Sequence, residues 1–497
     1  MESPSPITLD GSRLSLEQAH AISQGTAVEM NPEALERVKQ CHEFVQKEAD
    51  SDRSIYGINT GFGYLANRRI SREQLKQLQR NIVVSHASGY GQPLPTPVVR
   101  LSMVLRLNVL LMGVTGVSTD LCQAIYDHLE RGITPIIPEY GSVGASGDLA
   151  PLAHLALPLI GEGMVFYQGD AIEASEALEK AGLKPLVLSE KEGLGLINGT
   201  QIMLALGVIA LHEAKELIQK SHRITALSYE AMKASLDTIN PNLHAARGHV
   251  GQMIAAHEIL KHLEGSYLNQ SVHKKLRVQD AYSLRCAPQV HGASLDGVNY
   301  AIQVVETELG GATDNPLVFA DEELILSGGN FHGQPLALGF DLASMALSEI
   351  GNISDRRIEL MVNPHMSHLP AFLTEKEGLC SGYMAAQYLT ASLVNECKLL
   401  ANPACTDSIP GNVGIEDHVS MGMTSARKLS KIVELVSVIL ATEMVVACQA
   451  IDLRGCSPLG KGTSEVFELV REAIPVLDGD RVIADDVYKA VEVLEKL

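Results

Sequence analysis

The sequence contains no tryptophan, and aromatic residues make up only 4% of its 497 positions. It therefore lacks the stacking platforms on which single-stranded nucleic acid is bound. Basic residues are also scarce: 39 Lys and Arg stand against 59 Asp and Glu, a formal net charge of −20. Nucleic acids and anionic membranes reward clustered cations, so neither is expected as a partner. None of the eight cysteines forms a C-x-x-C pair, which leaves no signal for a zinc or thioredoxin-type site. The N-terminal MESPSPITLDGSRLS lacks the apolar run of a secretory signal. Scattered thiols and no such signal lead to the expectation of a reduced, cytoplasmic setting, with cysteines as core filler. A long uncharged run is missing too. The most hydrophobic stretch, 424–451, carries Arg427, Lys428, Lys431, Glu434 and Glu443. That falls short of the ~20 apolar residues a bilayer crossing needs, so it reads as a buried helix.

What is present suits a large folded protein, with 46% hydrophobic residues. The first 70 residues look mixed: a strand-like ITL, an amphipathic stretch from Ser15, and Asn31-Pro32 opening a helix. Val98 to Met112 is apolar on almost every face, with Arg100 and Arg106 as exceptions. A helix apolar all round belongs inside a bundle. Between 132 and 200 the chain turns rich in Gly and Pro, and VFYQGDAI within it reads as a hairpin. Loops that dense among helices suggest a site. Beyond 200, helical patterns run over roughly 200–222, 243–263, 290–310, 336–362, 380–400 and 424–451. The expected fold is mainly α: a mixed α/β N-terminal domain over 1–200 and a long-helix bundle over 201–497.

Three tempting motifs fail. Gly455-Cys456-Ser457-Pro458-Leu459-Gly460-Lys461 resembles a phosphate loop, but Gly462 stands at the Ser/Thr position and no strand precedes it. His257 and His262 are five residues apart, one too many to share a helix face as zinc-protease ligands. Gly144-Ala145-Ser146-Gly147 lacks the second spacer of the G-x-S-x-G nucleophile elbow.

The segment Gly141-Ser142-Val143-Gly144-Ala145-Ser146-Gly147-Asp148-Leu149-Ala150-Pro151 is dense enough in small residues for the backbone to fold back on itself. Attack of the Gly147 nitrogen on the Ala145 carbonyl carbon would close a five-membered ring. Loss of two waters, one from the Ser146 side chain, would leave a conjugated methylidene. Gly147 allows the close approach, Ala145 crowds least and Ser146 supplies the departing hydroxyl. The segment alone is equally open to a plainer reading, a glycine-rich turn before an Asp-capped helix.

This segment resembles the self-processing loop of the aromatic amino acid ammonia-lyases, which act on histidine, tyrosine or phenylalanine. Further blocks are similar to the family's and stand in its order: Tyr56-Gly57-Ile58-Asn59-Thr60-Gly61-Phe62-Gly63, Leu196-Ile197-Asn198-Gly199-Thr200, Gln279-Asp280-Ala281-Tyr282-Ser283-Leu284-Arg285-Cys286, Asp314-Asn315-Pro316 and Gly328-Gly329-Asn330-Phe331-His332-Gly333. The resemblance implies 4-methylideneimidazol-5-one formed from Ala145, Ser146 and Gly147, with no external cofactor or metal. It implies a fumarase/aspartase-like helical architecture and a homotetramer whose active sites draw on several subunits. It makes Tyr56 the base, on a Gly-rich loop able to close over substrate, and the site is expected to lower its pKa. Arg285 would fork the substrate carboxylate, with Gln279 beside it and Tyr282 assisting in proton handling. Asn198 and Asp148 would support the cofactor, while Asn330 and Phe331 would line the pocket.

Two positions bear on the aromatic ring of the substrate. His86 in Ser85-His86-Ala87-Ser88-Gly89 stands where members handling polar rings carry a histidine. Glu416 in Ile415-Glu416-Asp417-His418 resembles the histidine-handling members, and a carboxylate facing an imidazole gives a charge-assisted hydrogen bond. Ile415 departs from their pattern, where Gln is usual. L-Histidine, eliminated to urocanate, is the substrate this favours. Tyrosine, by elimination or 2,3-amino migration, stays open, as does a non-catalytic helical paralogue.

Overall fold

The computed structural model describes residues 5–270 and 275–497. The first four residues of the N-terminal segment read above lie outside that range. The fold is mainly α, and the chain divides into two compact units. One comprises Met1–His212, Ile302–Phe340 and Pro403–Arg427; the other Glu213–Ala301, Asp341–Asn402 and Lys428–Leu497.

All strands among the described residues lie in the first unit, as small sheets. Ile7–Leu9 pairs in parallel with Val28–Met30, and Leu317–Phe319 antiparallel with Leu324–Leu326. The expected hairpin is Met164–Tyr167 against Asp170–Glu173, with Gln168 and Gly169 at its turn. Both have positive φ, 52° and 94°, as a two-residue turn matched to strand twist requires. Helix Pro32–Ala49 starts where Asn31-Pro32 predicts, with the Asn31 side chain accepting from Glu33 and Ala34 nitrogens. Helix Thr96–Leu110 is buried from Val98 to Leu110 except at Arg100. Arg106 is therefore a charge inside an apolar core.

The second unit is built of helices, including Val250–His262, Met384–Leu400, Lys461–Ala473 and Ile483–Glu495. The expected helix 243–263 is two, Pro241–Ala245 and Val250–His262, with Gly248 at φ +85° between them. At this unit's centre Glu443 receives Arg357 through Nε at 2.5 Å and Nη2 at 2.8 Å. Ser228 and Ser354 each donate to it at 2.6 Å. Every oxygen of this buried carboxylate is thus satisfied, the condition for keeping an ion pair in a core.

Helix Gly422–Arg454 contains an 18-residue window long and apolar enough, by composition, to cross a membrane. The charges counted over 424–451 do not prevent that, because four of them, Arg427, Lys428, Lys431 and Glu434, lie toward one end. In the fold, 83% of that window is buried inside the protein.

Candidate active site

The first unit encloses a cavity of about 860 Å³. Five separated stretches line it: Tyr56 to Ile70, the end of helix Arg72–His86, Gly141 to Ala150, Leu194 with Asn198, and Asn412 with Glu416. Tyr56, His86, Ala145, Ser146, Gly147, Asn198 and Glu416, all singled out in the sequence, share this one space.

The small residues of the Gly-rich segment are required by its geometry. Gly144 and Gly147 bridge each other, so Ala145 and Ser146 form the tip of a tight turn. Ser142 Oγ accepts from the Gly144 nitrogen and donates to the Gly147 carbonyl, each at 3.1 Å. Gly147 has φ +67°, and a Cβ there would lie 2.1 Å from the Gly199 oxygen. At Gly144, φ is +76° and a Cβ would lie 2.2 Å from Ser420 Oγ. Any other residue at either position would be strained and would clash.

Asp148 precedes helix Leu149–Ala156, but its side chain does not cap that helix. Its Oδ2 accepts instead from the Ile202 and Met203 nitrogens, at 2.8 and 2.9 Å, at the start of helix Gln201–Ala231. Burial pushes the carboxyl up to about 7, against the pull of those two N–H groups and with a further push from Glu308. The Asp148 backbone nitrogen donates to the Gly199 oxygen at 2.7 Å. Asn198 Oδ1 is buried with no hydrogen-bond partner among the described residues.

His86 ends its helix with Nδ1 2.7 Å from the Ile82 carbonyl. A carbonyl only accepts, so Nδ1 carries the proton and Nε2 of the neutral ring is an acceptor. Asn412 donates to Glu416 Oε1 at 3.2 Å, while its own oxygen accepts from the Tyr64 nitrogen at 3.3 Å. Ile415, beside Glu416, is 62% exposed and does not line the cavity.

Tyr56 Oη accepts from the Gly63 nitrogen at 3.5 Å. The surroundings do not lower its pKa as the sequence reading expects. Burial raises it, the Gly63 N–H opposes that, and the Glu416 and Asp314 charges raise it further. Desolvation outweighs one long hydrogen bond.

Neither Asn330 nor Phe331 lines the cavity, although the Phe331 carbonyl would lie 2.9 Å from a Cβ on Gly147. Gln279, Tyr282 and Arg285 belong to the second unit and form their own cluster. Arg285 Nη1 donates to Gln279 Oε1 at 2.8 Å, and its guanidinium lies 5.2 Å from the Tyr282 ring centre. They share a face because Tyr282–Arg285 is one helical turn. Behind that turn, Tyr229 Oη donates to the Leu284 oxygen at 2.7 Å and Arg357 Nη1 reaches the Ser283 oxygen at 3.4 Å.

Sequence reasoning gave no role to Ser142, Ser420 or Asn412: Ser142 ties the Gly-rich segment together from within, Ser420 packs on Gly144, and Asn412 links Tyr64 to Glu416. It flagged Arg106 only as an exception in an apolar helix. Among the described residues, no group of three or more His, Cys, Asp or Glu could hold a metal ion.

The sequence pattern of the aromatic amino acid lyase family matches residues 14–472. A histidine ammonia-lyase of Treponema denticola is 46% identical over 492 residues, 98% of this chain and 96% of its own. The crystal structure of histidine ammonia-lyase from Trypanosoma cruzi superposes with a TM-score of 0.91 at 39% identity, covering 99% of this chain and 94% of that one. A tyrosine aminomutase from Streptomyces globisporus gives 0.93 at 35% identity, covering 99% and 97%. A match of that extent, over a cavity built around the Ala145-Ser146-Gly147 turn, makes this chain a member of the aromatic amino acid lyase family.

Proposed function

We propose that the protein is a histidine ammonia-lyase that converts L-histidine to urocanate and ammonia, using 4-methylideneimidazol-5-one formed from its own Ala145, Ser146 and Gly147. The observation that carries this reading is the joint lining of one cavity by the Ala145–Gly147 turn, Tyr56, His86 and Glu416. The segment suits that group: the Gly144–Gly147 bridge folds the three residues back, and the space a Cβ would need at Gly147 is already filled. The unpartnered Asn198 Oδ1 adds a polar atom able to orient it. When formed, the group supplies an electrophilic carbon that makes the substrate amine a better leaving group.

The chain's own residues do the rest. Glu416 meets the substrate imidazole as a charged acceptor, and His86 Nε2 offers a second acceptor. Arg285, with Gln279 fixing one edge of its guanidinium, takes the carboxylate, and Tyr282 assists in proton handling. The Phe331 carbonyl closes the space beside Gly147, and Asp148 anchors the turn to helix Gln201–Ala231. Tyr56 removes the β-proton. Its phenol is raised above the ordinary value of 10.0, so it is protonated in the free protein at neutral pH. The substrate ammonium, once seated, is the positive charge that favours the phenolate. Because the acting form is deprotonated and the phenol is raised above 10.0, kcat/KM should still be climbing as pH reaches that value. A pH–rate profile checks this, and a plateau below pH 8 would remove Tyr56 as the base. Tyr56→Phe should lower kcat by about 10²–10⁴-fold.

The cluster around Arg285 leads us to infer a homotetramer in which that cluster of one copy completes the cavity of another. Tyr282 is 70% exposed, as a residue awaiting a partner surface would be. The free thiols of Cys41, Cys122, Cys286, Cys380, Cys397, Cys448 and Cys456 fit a cytoplasmic setting.

Assays against L-histidine, L-tyrosine and L-phenylalanine, with ammonia quantified in parallel, test the reading. Conjugated product and equimolar ammonia from histidine alone are expected. Product from tyrosine would replace the proposal with a tyrosine lyase, and a β-amino acid without ammonia would replace it with an aminomutase. A tyrosine substrate has standing because His86 Nε2 would serve a phenol as well as an imidazole.

A further inference from the structure

Arg106 is fully buried inside helix Thr96–Leu110, where a charge is costly to hold. Asp314 Oδ1 lies 3.9 Å from Arg106 Nη2, beyond hydrogen-bond reach, while its Oδ2 binds Lys191 Nζ at 2.6 Å. So long an ion pair does not by itself explain the arginine. Its donors go to oxygens of two backbone segments. Nε donates to the Gly195 carbonyl at 2.8 Å, and Nη2 donates to the same oxygen. Nη1 reaches the Asn198 carbonyl at 3.1 Å, the Thr313 carbonyl at 2.8 Å and Gln201 Oε1 at 3.2 Å. The guanidinium thus binds the end of the short helix Glu192–Ile197 and the link from it to helix Gln201–Ala231.

That link is the surface on which the Gly-rich turn rests. Gly199 bridges Gly147, and its carbonyl accepts from the Asp148 nitrogen at 2.7 Å. On the opposite side, a Cβ on Gly199 would lie 2.6 Å from Arg106 Nη1. Gly199 is therefore held between the guanidinium and the turn, with no slack on either side. Asn198, held by its carbonyl, presents its side chain to the cavity.

We propose that Arg106 is the positioning residue for cyclisation of Ala145-Ser146-Gly147. It fixes the 195–199 backbone, which in turn holds Gly147 where its nitrogen can reach the Ala145 carbonyl carbon. In that step the Gly147 N–Ala145 C bond forms. The Ala145 oxygen leaves as water with the amide hydrogens of Gly147 and Ser146, and an Ala145 C–Ser146 N double bond remains. A second water takes the Ser146 hydroxyl and α-hydrogen, so no oxidant or reductant is needed. The inference rests on the proposed reading of the Gly-rich segment. It adds that the rigidity required for cyclisation comes from an arginine outside the loop.

The test is the intact mass of the denatured chain at fixed times after synthesis, which reports how many waters have been lost, beside a melting curve for folding. Wild-type protein, Arg106→Lys and Gln201→Leu are compared. Lysine keeps the charge but cannot bind two backbone segments at once. Gln201→Leu leaves the arginine in place and loosens its grip. We expect wild type to have lost both waters. The processed fraction of folded Arg106→Lys should be lower by at least about tenfold, and that of Gln201→Leu by a smaller factor. If Arg106→Lys does not fold, Gln201→Leu decides. Folded variants that lose both waters as fast as wild type would overturn the proposal, even if they melt earlier, because that is what a merely structural arginine would do. A wild-type chain that keeps both waters would overturn the reading of the Gly-rich segment itself, an outcome distinct from failure of the variants alone.

Discussion

Arg106 in the first unit and Arg357 in the second are both almost completely inaccessible, yet they are stabilised differently. Arg357 faces a dedicated carboxylate, Glu443, through two hydrogen bonds, and two serines complete that carboxylate. Arg106 has three backbone oxygens and the Gln201 side chain for partners, and it shares the Asp314 carboxylate with Lys191. Arg285 is the contrast to both. It is half-buried, and one of its five N–H donors has a hydrogen bond among the described residues, to Gln279. An arginine whose donors are spent organises the protein; one with donors to spare is equipped to bind something else.

Removing the counter-charges tests the first half of that contrast and should give the largest effect. Glu443→Gln leaves the Arg357 guanidinium buried without compensation and should cost about 3–5 kcal/mol of unfolding free energy. Asp314→Asn should cost less. Its direct partner Lys191, whose pKa burial already lowers, can shed its proton, whereas arginine cannot. Denaturant unfolding of the two variants side by side measures the difference. Equal losses would mean that the backbone cradle does not hold Arg106 independently of Asp314.

The second half is tested at Arg285, with an intermediate effect. Arg285→Lys exchanges a planar fork for a point charge and should weaken binding of the substrate carboxylate by about 2 kcal/mol, ~30-fold in KM. Stability should stay within about 0.5 kcal/mol of wild type, since one hydrogen bond, to Gln279, ties the side chain to the described residues. A fall in melting temperature with unchanged KM would put Arg285 among the organising arginines instead.

Asp148 gives a smaller effect with a definite sign. Its carboxyl is raised from 3.8 to about 7 in the folded protein, mainly by burial. The folded state therefore binds a proton that the unfolded state releases. Its contribution to stability is full below about pH 3.8 and is lost as pH rises to about 7. Asp148→Asn does not titrate and retains an oxygen for the Ile202 and Met203 nitrogens. Its melting temperature relative to wild type should rise across that window by on the order of 2 °C and then level off. A difference independent of pH would show that the carboxyl does not titrate there.

The Ala145–Gly147 turn was legible in the sequence because small residues crowd a place where Gly144 and Gly147 leave no room for a Cβ. The Met164–Glu173 hairpin was legible because its turn demands positive φ at consecutive positions. Helix Gln201–Ala231 was read only to about residue 222. Its last turns carry Ser228, Tyr229 and Glu230, which look like a polar exit but are buried on partners distant in sequence. Arg106 was visible as an anomaly, but its partners are main-chain oxygens, which no residue type announces. Its task could be found only after folding. The same applies to Tyr56, whose raised pKa comes from burial rather than from a neighbouring residue that a sequence pattern displays.

Ile415 should give the smallest effect, and it tests whether a departure from a family's pattern matters when its side chain does not face the site. Histidine-handling members usually have Gln before the Glu that Glu416 matches. Within its unit Ile415 is exposed, while Glu416 lines the cavity with support from Asn412. Adjacent residues on an extended or turning backbone point apart, so the identity of one need not alter the reach of the other. Ile415→Gln should therefore change kcat/KM for histidine by less than about twofold, within ~0.5 kcal/mol. Steady-state kinetics on both proteins decides. A gain of tenfold or more, confined to KM, would mean that residue 415 contacts substrate in the assembled protein. The surface around it would then be part of an active site shared between copies, and exposure within one unit would be a poor guide to which residues set substrate choice.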